Sequence, residues 1–208
     1  GKNLSLSKQT LPHWYTKITI DAEPMLAFAK KEKQLYPCTV TDVIVWAVAR
    51  VVSELPLFRT QIDGDDLVEF PGANIGLAVG TDAGLVVPVL IGADQMSLKG
   101  VAAATKRLVE NARAGKLEGV GEAVFSISNL GMFGVEEFAA IINPPESGIL
   151  SVGAVREEVV VKNGAMRPGK LMTMVLSADH RLIDGTMAAK FASRIKELLE
   201  SPDTGGSH

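Results

Sequence analysis

Two patterns that decide the fold class meet in the segment Met172-Thr173-Met174-Val175-Leu176-Ser177-Ala178-Asp179-His180-Arg181-Leu182-Ile183-Asp184-Gly185. Its first half alternates as a strand does, and the chain that follows, over 186–200, has the spacing of a terminal helix. Elsewhere helices and strands are mixed without the strict alternation of a parallel doubly wound sheet. We therefore predict an α+β fold with flanking helices and a central sheet that is mostly antiparallel or mixed, and of these two we adopt the mixed sheet.

The rest of the chain shows the same two periodicities. Thr39 or Thr41 is suited to cap a buried helix, Ser97 to cap an amphipathic one, and Asn163-Gly164 to form a hairpin turn. The sequence has no internal repeat and no evident domain boundary. The predicted helices span 3–9, 22–34, 43–55, 97–112 and 186–200, and the predicted strands span 13–20, 58–62, 67–70, 75–79, 85–89, 124–128, 148–161 and 170–177.

Composition excludes several classes of function. The chain has 208 residues, 47% of them hydrophobic, which suffices for one core, and its net charge of −3 leaves no basic field for nucleic acid. Its apolar stretches are too short to cross a membrane, and no signal peptide opens it. The single cysteine, Cys38, excludes an internal disulfide framework and a cysteine-based metal site. We expect a buried structural thiol, no metal, and a soluble, cytoplasm-like protein.

The two ends of the chain are set apart from the predicted domain. Gly1 is interpreted as a cleavage remnant, and the stretch at 203–208 as a polar tail or the remnant of a tag. The predicted domain therefore covers residues 1–202.

Outside that tail the chain has two histidines, and His180 is the candidate for catalysis. It follows a strand and precedes a helix, which is where a rigid scaffold presents a side chain on a loop. With Asp179, Arg181 and Asp184 beside it, its imidazole could act as a general base. The alternative is a loop histidine next to a helix cap formed by Asp184. We expect His13, at the start of a strand, to be structural.

A second candidate site lies in Ser126-Ile127-Ser128-Asn129-Leu130-Gly131-Met132-Phe133-Gly134, where a strand runs into a glycine-punctuated turn. Ser126 and Ser128 should face the same side of the strand, and a hydroxyl there could donate to an oxyanion. Ordinary turn chemistry is the alternative. A serine hydrolase using Ser128, His180 and Asp184 is disfavoured because the Gly-x-Ser-x-Gly elbow is absent, and no glycine loop for nucleotides is present.

The segment His180-Arg181-Leu182-Ile183-Asp184-Gly185 resembles the His-x-x-x-Asp-Gly signature of the 2-oxo acid dehydrogenase acyltransferase cores, a family related to chloramphenicol acetyltransferase. The resemblance spans most of the chain, because further segments agree with it in order. These segments are 12–15, the pair 74–79 and 84–89, 125–134, and 142–145.

The resemblance implies a role for each matching residue. His180 would take the proton from an attacking thiol, Ser128 would hydrogen-bond the tetrahedral oxyanion, and Asp184 would hold the loop through an ion pair. An acyl group, which we expect to be acetyl, would pass directly between a dihydrolipoyl thioester and coenzyme A without an acyl-enzyme. The chloramphenicol acetyltransferase-like fold would supply the scaffold.

The resemblance also implies partners. Relatives form trimers in which His180 of one subunit would face Ser128 of the next. These trimers can build larger cores, which a lipoyl domain and the dehydrogenase and lipoamide dehydrogenase components of the complex would serve. The lipoyl and peripheral subunit-binding domains would precede residue 1, and the basic segment that relatives carry before Asn3 is missing. Contacts with coenzyme A are left unassigned for Arg59, Lys99 and Arg156.

Other functions remain open at this point. A succinyl- or branched-chain-acyl-transferring homologue would use the same residues. A small-molecule O-acetyltransferase would acylate a hydroxyl compound instead, and a catalytically silent scaffold would assemble without turnover. The stretch 128–134 looks most like acetyl-transferring members, and the presence of both Ser128 and His180 disfavours the scaffold.

Overall fold

The computed structural model describes residues 2–205. Within them a seven-stranded sheet packs against helices, and two short hairpins lie outside the sheet. The helices are α1 (Lys2–Thr10), α2 (Glu23–Glu32), α3 (Val40–Glu54), α4 (Leu98–Arg113) and α5 (Gly185–Glu200), with 3-10 turns at Pro56–Arg59, Ala93–Gln95, Gly131–Phe133 and Pro202–Gly205. The strands are β1 (His13–Asp21), β2 (Thr60–Asp63), β3 (Asp66–Glu69), β4 (Ile75–Leu77), β5 (Val79–Thr81), β6 (Gly84–Val86), β7 (Val89–Leu90), β8 (Phe125–Asn129), β9 (Gly148–Val152), β10 (Arg156–Lys162) and β11 (Ala165–Asp179).

The sheet is mixed, as predicted. Its strands lie in the order β1-β11-β9-β8-β4-β7, and β10 pairs with β11 beside this path. Strands β4, β8 and β9 run parallel to one another, while the remaining pairs are antiparallel. The hairpins are β2-β3 and β5-β6. The α+β prediction with a mixed central sheet is therefore confirmed.

The longest strand, β11, defines two faces of the sheet, because successive residues of a strand point to opposite sides. Met172, Met174 and Leu176 are at most 1% exposed and join the core that contains α3 and α5. Phe125 of β8 lies on the same side, since its ring centroid is 5.4 Å from that of Phe191 in α5. We call this side the helix face and the other side the open face.

Local capping fixes where helices α3 and α4 begin. The Thr39 side chain accepts from the backbone N–H of Asp42, and the Asp42 carboxylate accepts from the Thr39 N–H, which is a complete capping box. Ser97 caps α4 by accepting from Gly100 N. Of the two predicted caps for α3, Thr39 is therefore correct and Thr41 is not, and the Ser97 cap is confirmed.

Several predicted segments are subdivided in the structure. The predicted strand 148–161 is two strands, because Gly153 lies so close to the Glu136 backbone that a Cβ there would overlap it, and Ala154 N donates to Val135 O rather than to a sheet partner. The predicted strand 58–62 begins as a 3-10 turn that Pro56 starts. The predicted strands 75–79 and 85–89 are each split in two, and the predicted helix 22–34 ends at Glu32.

The hairpin of β10 and β11 extends beyond the rest of the sheet. Residues 165–170 of β11 pair with β10, whereas Leu171 to Asp179 pair with β1. Asn163 and Gly164 form the tip with φ of 52° and 79°, as the hairpin turn predicted there requires. Val159, Val161 and Met166 are about 70–80% exposed on this arm. We refer to residues 156–170 as the hairpin arm.

The predicted polar tail starts within a 3-10 turn, Pro202–Gly205, in which Asp203 forms an ion pair with Lys31 at 3.5 Å. Residues 206–208 of that tail, and Gly1, lie outside the described residues. No helix in the part of the chain that the structure describes is long and apolar enough to cross a membrane.

Candidate active site

The His180 backbone is held from both sides at the end of β11. His180 N donates to Pro12 O at 2.9 Å, and the preceding Asp179 N donates to Ser147 O at 2.9 Å. The imidazole itself is exposed. The strand end therefore fixes the position of the Cα and leaves the ring free to reach a ligand.

An ion pair shapes the loop that follows. Asp179 is 2% exposed, and its carboxylate accepts from Arg181 Nη2 at 2.7 Å, from Nε at 3.0 Å and from the backbone N at 3.1 Å. The hydrogen bond to Asp179 raises the pKa of the Arg181 guanidinium. These bonds close the loop tightly around His180.

The role expected for Asp184 needs correction. Within residues 2–205 it forms no ion pair; its side chain instead accepts from Met187 N at 2.8 Å and so caps α5. A carboxylate at this position is stabilised by the free N–H groups and dipole of the helix N-terminus, and so it needs no cationic partner. The ion pair that the resemblance implied for this loop is made by Asp179, which sequence reasoning noticed only as a neighbouring charge.

Ser128 lies at the far end of β8, on the open face. Its register partner is Ser151 of β9, and it is half-buried. The next residue, Asn129, fixes the strand end: its Nδ2 donates to Thr41 Oγ1 at 3.1 Å, and its Oδ1 accepts from Gly131 N at 2.8 Å. Sequence reasoning missed the Asn129–Thr41 bond, because 88 residues separate its partners.

A shallow cleft adjoins this strand end. It has a volume of about 200 Å³ and lies between the start of α3 and the turn after β8. Asn129, Met132, Val155 and Met172 are among the residues that line it. In the turn that follows Ser128, Met132 and Phe133 are 69% and 76% exposed and form an apolar surface.

Ser126 shares the open face with Ser128, as predicted, but its hydroxyl is already engaged. It is 2% exposed and donates to Glu146 Oε1. Gly76 leaves room for this hydroxyl, because a Cβ at that position would overlap it. Glu146 is also 2% exposed, and its Oε2 is buried without a hydrogen-bond partner. Burial raises the pKa of the Glu146 carboxyl to about 7, against smaller opposing effects of the bonds from Ser126 and Asn143.

One chain does not bring Ser128 and His180 together. Ser128 pairs with Ser151, which pairs with Val175, so His180 lies five residues further along β11 and two strands across. At about 3.3 Å per residue and about 4.8 Å per strand, the two Cα atoms are roughly 19 Å apart. They also lie on opposite faces, since Trp14, which contacts His180, aligns with Ala178 on the helix face.

His13 and Cys38, the remaining residues with reactive side chains considered in the sequence analysis, both have structural surroundings. His13 Nδ1 is 2.8 Å from Leu11 O, and its Nε2 accepts from Ile142 N at 3.2 Å, so both ring nitrogens are used and the prediction of a structural histidine is confirmed. Cys38 is buried as predicted, and burial raises the pKa of its thiol to about 11. No group of His, Cys, Asp and Glu within residues 2–205 is arranged to hold a metal ion.

The three basic residues left unassigned occupy separate places. Arg59 pairs with Glu69 at 2.7 Å on the β2-β3 hairpin, and Lys99 is exposed on the first turn of α4. Arg156 pairs with Glu158 at 2.9 Å at the base of the hairpin arm. None of these contacts identifies a phosphate site.

The fold is similar to that of chloramphenicol acetyltransferase. It superposes on chloramphenicol acetyltransferase with a TM-score of 0.58 over 95% of this chain and 94% of the other, at 13% identity, which shows the fold alone. Residues 1–205 match the family described as 2-oxoacid dehydrogenases acyltransferase (catalytic domain). The chain therefore belongs to that family.

Relatives within the family are similar along the whole domain. The dihydrolipoyllysine-residue acetyltransferase component of the pyruvate dehydrogenase complex of Rickettsia bellii is 35% identical over 97% of this chain and 50% of its own length. The mouse mitochondrial pyruvate dehydrogenase protein X component is also 35% identical, over 97% of this chain and 42% of its own. The chain thus spans about half the length of the curated relatives it matches, or somewhat less.

Solved structures in the family agree more closely than chloramphenicol acetyltransferase does. Azotobacter vinelandii dihydrolipoamide acetyltransferase is 33% identical with a TM-score of 0.92, covering 98% of this chain and 87% of that one. Its description concerns the role of a serine, a histidine and an asparagine in its catalytic mechanism. The cubic core of a pyruvate dehydrogenase multienzyme complex is 34% identical with a TM-score of 0.91, covering 98% and 87%.

Proposed function

We propose that this chain is the catalytic domain of an acetyltransferase that moves an acetyl group between a dihydrolipoyl thioester and coenzyme A. One observation carries the proposal. In the Azotobacter enzyme the serine, histidine and asparagine of the catalytic mechanism are separated by 52 and four residues, and the same spacings separate Ser128, His180 and Asp184 here. An aspartate stands where that enzyme has the asparagine.

The proposed reaction uses His180 as the general base. Its imidazole takes the proton from the attacking thiol, and the thiolate forms a bond to the carbonyl carbon of the thioester. A base in this role contributes roughly 10²–10⁴-fold to the rate. The exposed ring at the end of a strand whose backbone is fixed suits this task.

Ser128 would stabilise the tetrahedral intermediate by donating its hydroxyl hydrogen bond to the oxyanion. The intermediate then collapses, the bond to the original sulfur breaks, and the departing thiolate takes the proton back from His180. Removing one oxyanion donor costs roughly 10²–10³-fold in an acyl-transfer reaction. No acyl-enzyme forms in this scheme, and no metal takes part.

The separation of about 19 Å within a chain supports a site shared between two subunits, because one carbonyl must lie within about 3 Å of both groups. We therefore propose a homotrimer in which His180 of one protomer faces Ser128 of the next. The exposed Met132 and Phe133 beside Ser128 supply apolar surface for such an interface. The likeness to a cubic core supports assembly of trimers into a larger particle.

The proposed partners follow from the same family. A lipoyl group on a separate domain brings the acetyl group, and the dehydrogenase and lipoamide dehydrogenase components charge and reoxidise it. The names of several curated relatives that are 33–36% identical favour acetyl over succinyl or branched-chain acyl groups. We place the protein in the bacterial cytoplasm, or in an organelle matrix if it is eukaryotic.

The test is acetyl transfer from acetyl-coenzyme A to free dihydrolipoamide, with succinyl-coenzyme A as a second donor. We expect acetyl transfer by the folded protein and a fall of roughly 10²–10⁴-fold in His180→Asn. Ser193→Ala, which removes an exposed hydroxyl on α5, is the control. Turnover with the succinyl donor in place of the acetyl donor would change our assignment of the acyl group. No transfer from either donor by a folded oligomer would favour the scaffold function.

A further inference from the structure

Trp14 is the described residue whose ring contacts the His180 imidazole. It lies in β1 directly opposite Ala178, so its side chain is diagonal to His180 on the helix face. The two ring centroids are 4.8 Å apart and the planes are inclined at 77°. This is an edge-to-face arrangement at a separation that aromatic pairs favour.

The indole is itself held in place by two further contacts. Its Nε1 donates to Thr16 Oγ1 at 3.1 Å. On the side of α5, the ring lies against Gly185, where an added Cβ would come within 3.2 Å of the indole. A larger residue at Gly185 would require the indole to shift by a few tenths of an ångström. Thr16, Gly185 and His180 therefore define one position for Trp14.

The His180 ring needs such a neighbour. A catalytic histidine is usually oriented by a hydrogen bond from its second ring nitrogen to a carboxylate or a carbonyl. Within residues 2–205 the imidazole of His180 has no hydrogen-bond partner, because the nearby carboxylates are used elsewhere: Asp179 by Arg181 and Asp184 by the α5 cap. Packing is the means of orientation that this chain offers.

We propose that Trp14 is a positioning residue for His180: the indole limits rotation of the imidazole and keeps it aimed at the reacting thiol. The inference rests on the proposed function, because it requires His180 to be the base. Trp14 touches His180 rather than the substrate. Its loss should therefore lower kcat, while KM for both thiols stays nearly constant.

The experiment measures kcat and KM for coenzyme A and dihydrolipoamide in three variants of the assembled enzyme. Trp14→Val removes the ring and keeps a residue suited to a strand, and Trp14→Phe restores part of the ring. Tyr15→Val is the matched control, because Tyr15 is the adjacent aromatic residue, is 44% exposed against 39% for Trp14, and faces the other side of β1.

We expect Trp14→Val to lose roughly ten- to a hundredfold in kcat, because small misplacements of a reacting group have effects of this size. Trp14→Phe should recover most of the rate, and Tyr15→Val should resemble the unaltered enzyme. An unchanged kcat in folded Trp14→Val would overturn the proposal. So would a rise in KM alone, since that would make Trp14 a wall of the substrate site.

A spectroscopic measurement separates positioning from general stability. The chain has three histidines, so ¹³Cε1-histidine labelling gives few resonances, and His180→Asn assigns the one from His180. The indole ring current should displace that resonance, and Trp14→Val should move it while the His13 resonance stays in place. A His180 resonance that does not move would refute the contact.

The two proposals fail in distinguishable ways. Full activity in His180→Asn would remove the base and with it the proposed mechanism. An inactive His180→Asn together with a fully active Trp14→Val would leave the mechanism standing and refute only the positioning role.

Discussion

The two ends of the central sheet hold their candidate catalytic groups differently. At the His180 end, backbone hydrogen bonds and the ion pair between Arg181 and the buried Asp179 carboxylate fix the main chain, and the His180 side chain is exposed. At the Ser128 end, the hydroxyl is half-buried, and a neighbouring side chain, Asn129, ties the strand to a helix. In the proposed mechanism the first end supplies the exposed base and the second supplies the half-buried oxyanion donor. That mechanism requires the two groups to come from different protomers.

The largest expected effect comes from mixing chains that are each defective at one end. His180→Asn and Ser128→Ala homotrimers should each lose at least about 100-fold in rate. When the two chains are co-expressed in equal amounts, a cyclic trimer that contains both has one interface with an intact pair, so about a quarter of the sites should recover.

The control for this mixing experiment is the double variant, His180→Asn with Ser128→Ala, mixed with Ser128→Ala chains. No interface in that mixture has an intact pair, so no activity should return. If the first mixture recovers no activity although differential tagging verifies mixed trimers, the two ends do not share a site.

Glu146 connects the two ends, since Ser126 of β8 donates to it and the adjacent Ser147 accepts from Asp179. Burial raises the pKa of its carboxyl from an ordinary 4.5 to about 7. The pKa of this carboxyl is higher in the folded than in the unfolded protein, so its contribution to the free energy of unfolding is fully present below pH 4.5. The contribution is lost as the pH rises towards 7 and changes no further at higher pH. Glu146→Gln stays neutral, so relative to the unaltered protein it should gain up to ~3 kcal/mol between those limits.

Denaturant unfolding at several pH values measures this difference. Glu122→Gln, an exposed carboxyl replaced in the same way, serves as the control and should show a much smaller change with pH. A difference between Glu146→Gln and the unaltered protein that is the same at pH 4 and pH 8 would mean that the buried carboxyl does not titrate in this range.

Arg181→Met tests whether the ion pair with Asp179 stabilises the loop at the His180 end. The substitution leaves the Asp179 carboxylate buried at 2% exposure without its cation, and we expect a loss of about 2 kcal/mol, less than for a fully buried pair because Arg181 is 43% exposed. Arg113→Met, on the last turn of α4, removes an exposed arginine for comparison. Equal stability of the two variants in urea would show that the ion pair does not hold the loop.

Asn129→Ala should have the smallest effect, at the Ser128 end. It removes the bonds to Thr41 and to Gly131 N, and a typical hydrogen bond contributes about 1 kcal/mol. A double-mutant cycle with Thr41→Val should give a coupling of about 0.5–1 kcal/mol in unfolding free energy. Additive single changes would mean that the Asn129–Thr41 bond carries no stability.

Features set by neighbours in the sequence could be predicted. The alternation of 172–178, the Ser97 cap and the Asn163-Gly164 turn depend on residues within a few positions of each other, and all three are present. The mixed sheet followed from the absence of regular strand–helix alternation. The signature around His180 could be recognised because its residues are contiguous.

Features set by distant contacts could not be predicted. The Asn129–Thr41 bond joins residues 88 positions apart, and the break at Gly153 depends on where the Glu136 backbone passes. The helix cap at Asp184, given as the alternative in the sequence analysis, is present. The ion pair near His180 is made by Asp179 and not by Asp184, because spacing alone does not tell which of the two is buried. Burial depends on the packing of β1 and β9 around β11.

The amides of β11 inside the hairpin arm and those in the main sheet should exchange their hydrogens at different rates. The amides of 171–179 lie in a sheet covered by helices, whereas residues 165–170 have β10 as their partner strand. Two contacts tie these six residues to the start of α2: Ala22 N donates to Lys170 O, and Arg167 pairs with Glu23. Opening of a two-stranded ribbon requires far less free energy than opening of the core. The amides of residues 165–170 should therefore exchange with deuterium long before the amide of Met174, although no break in backbone pairing separates the two parts of β11.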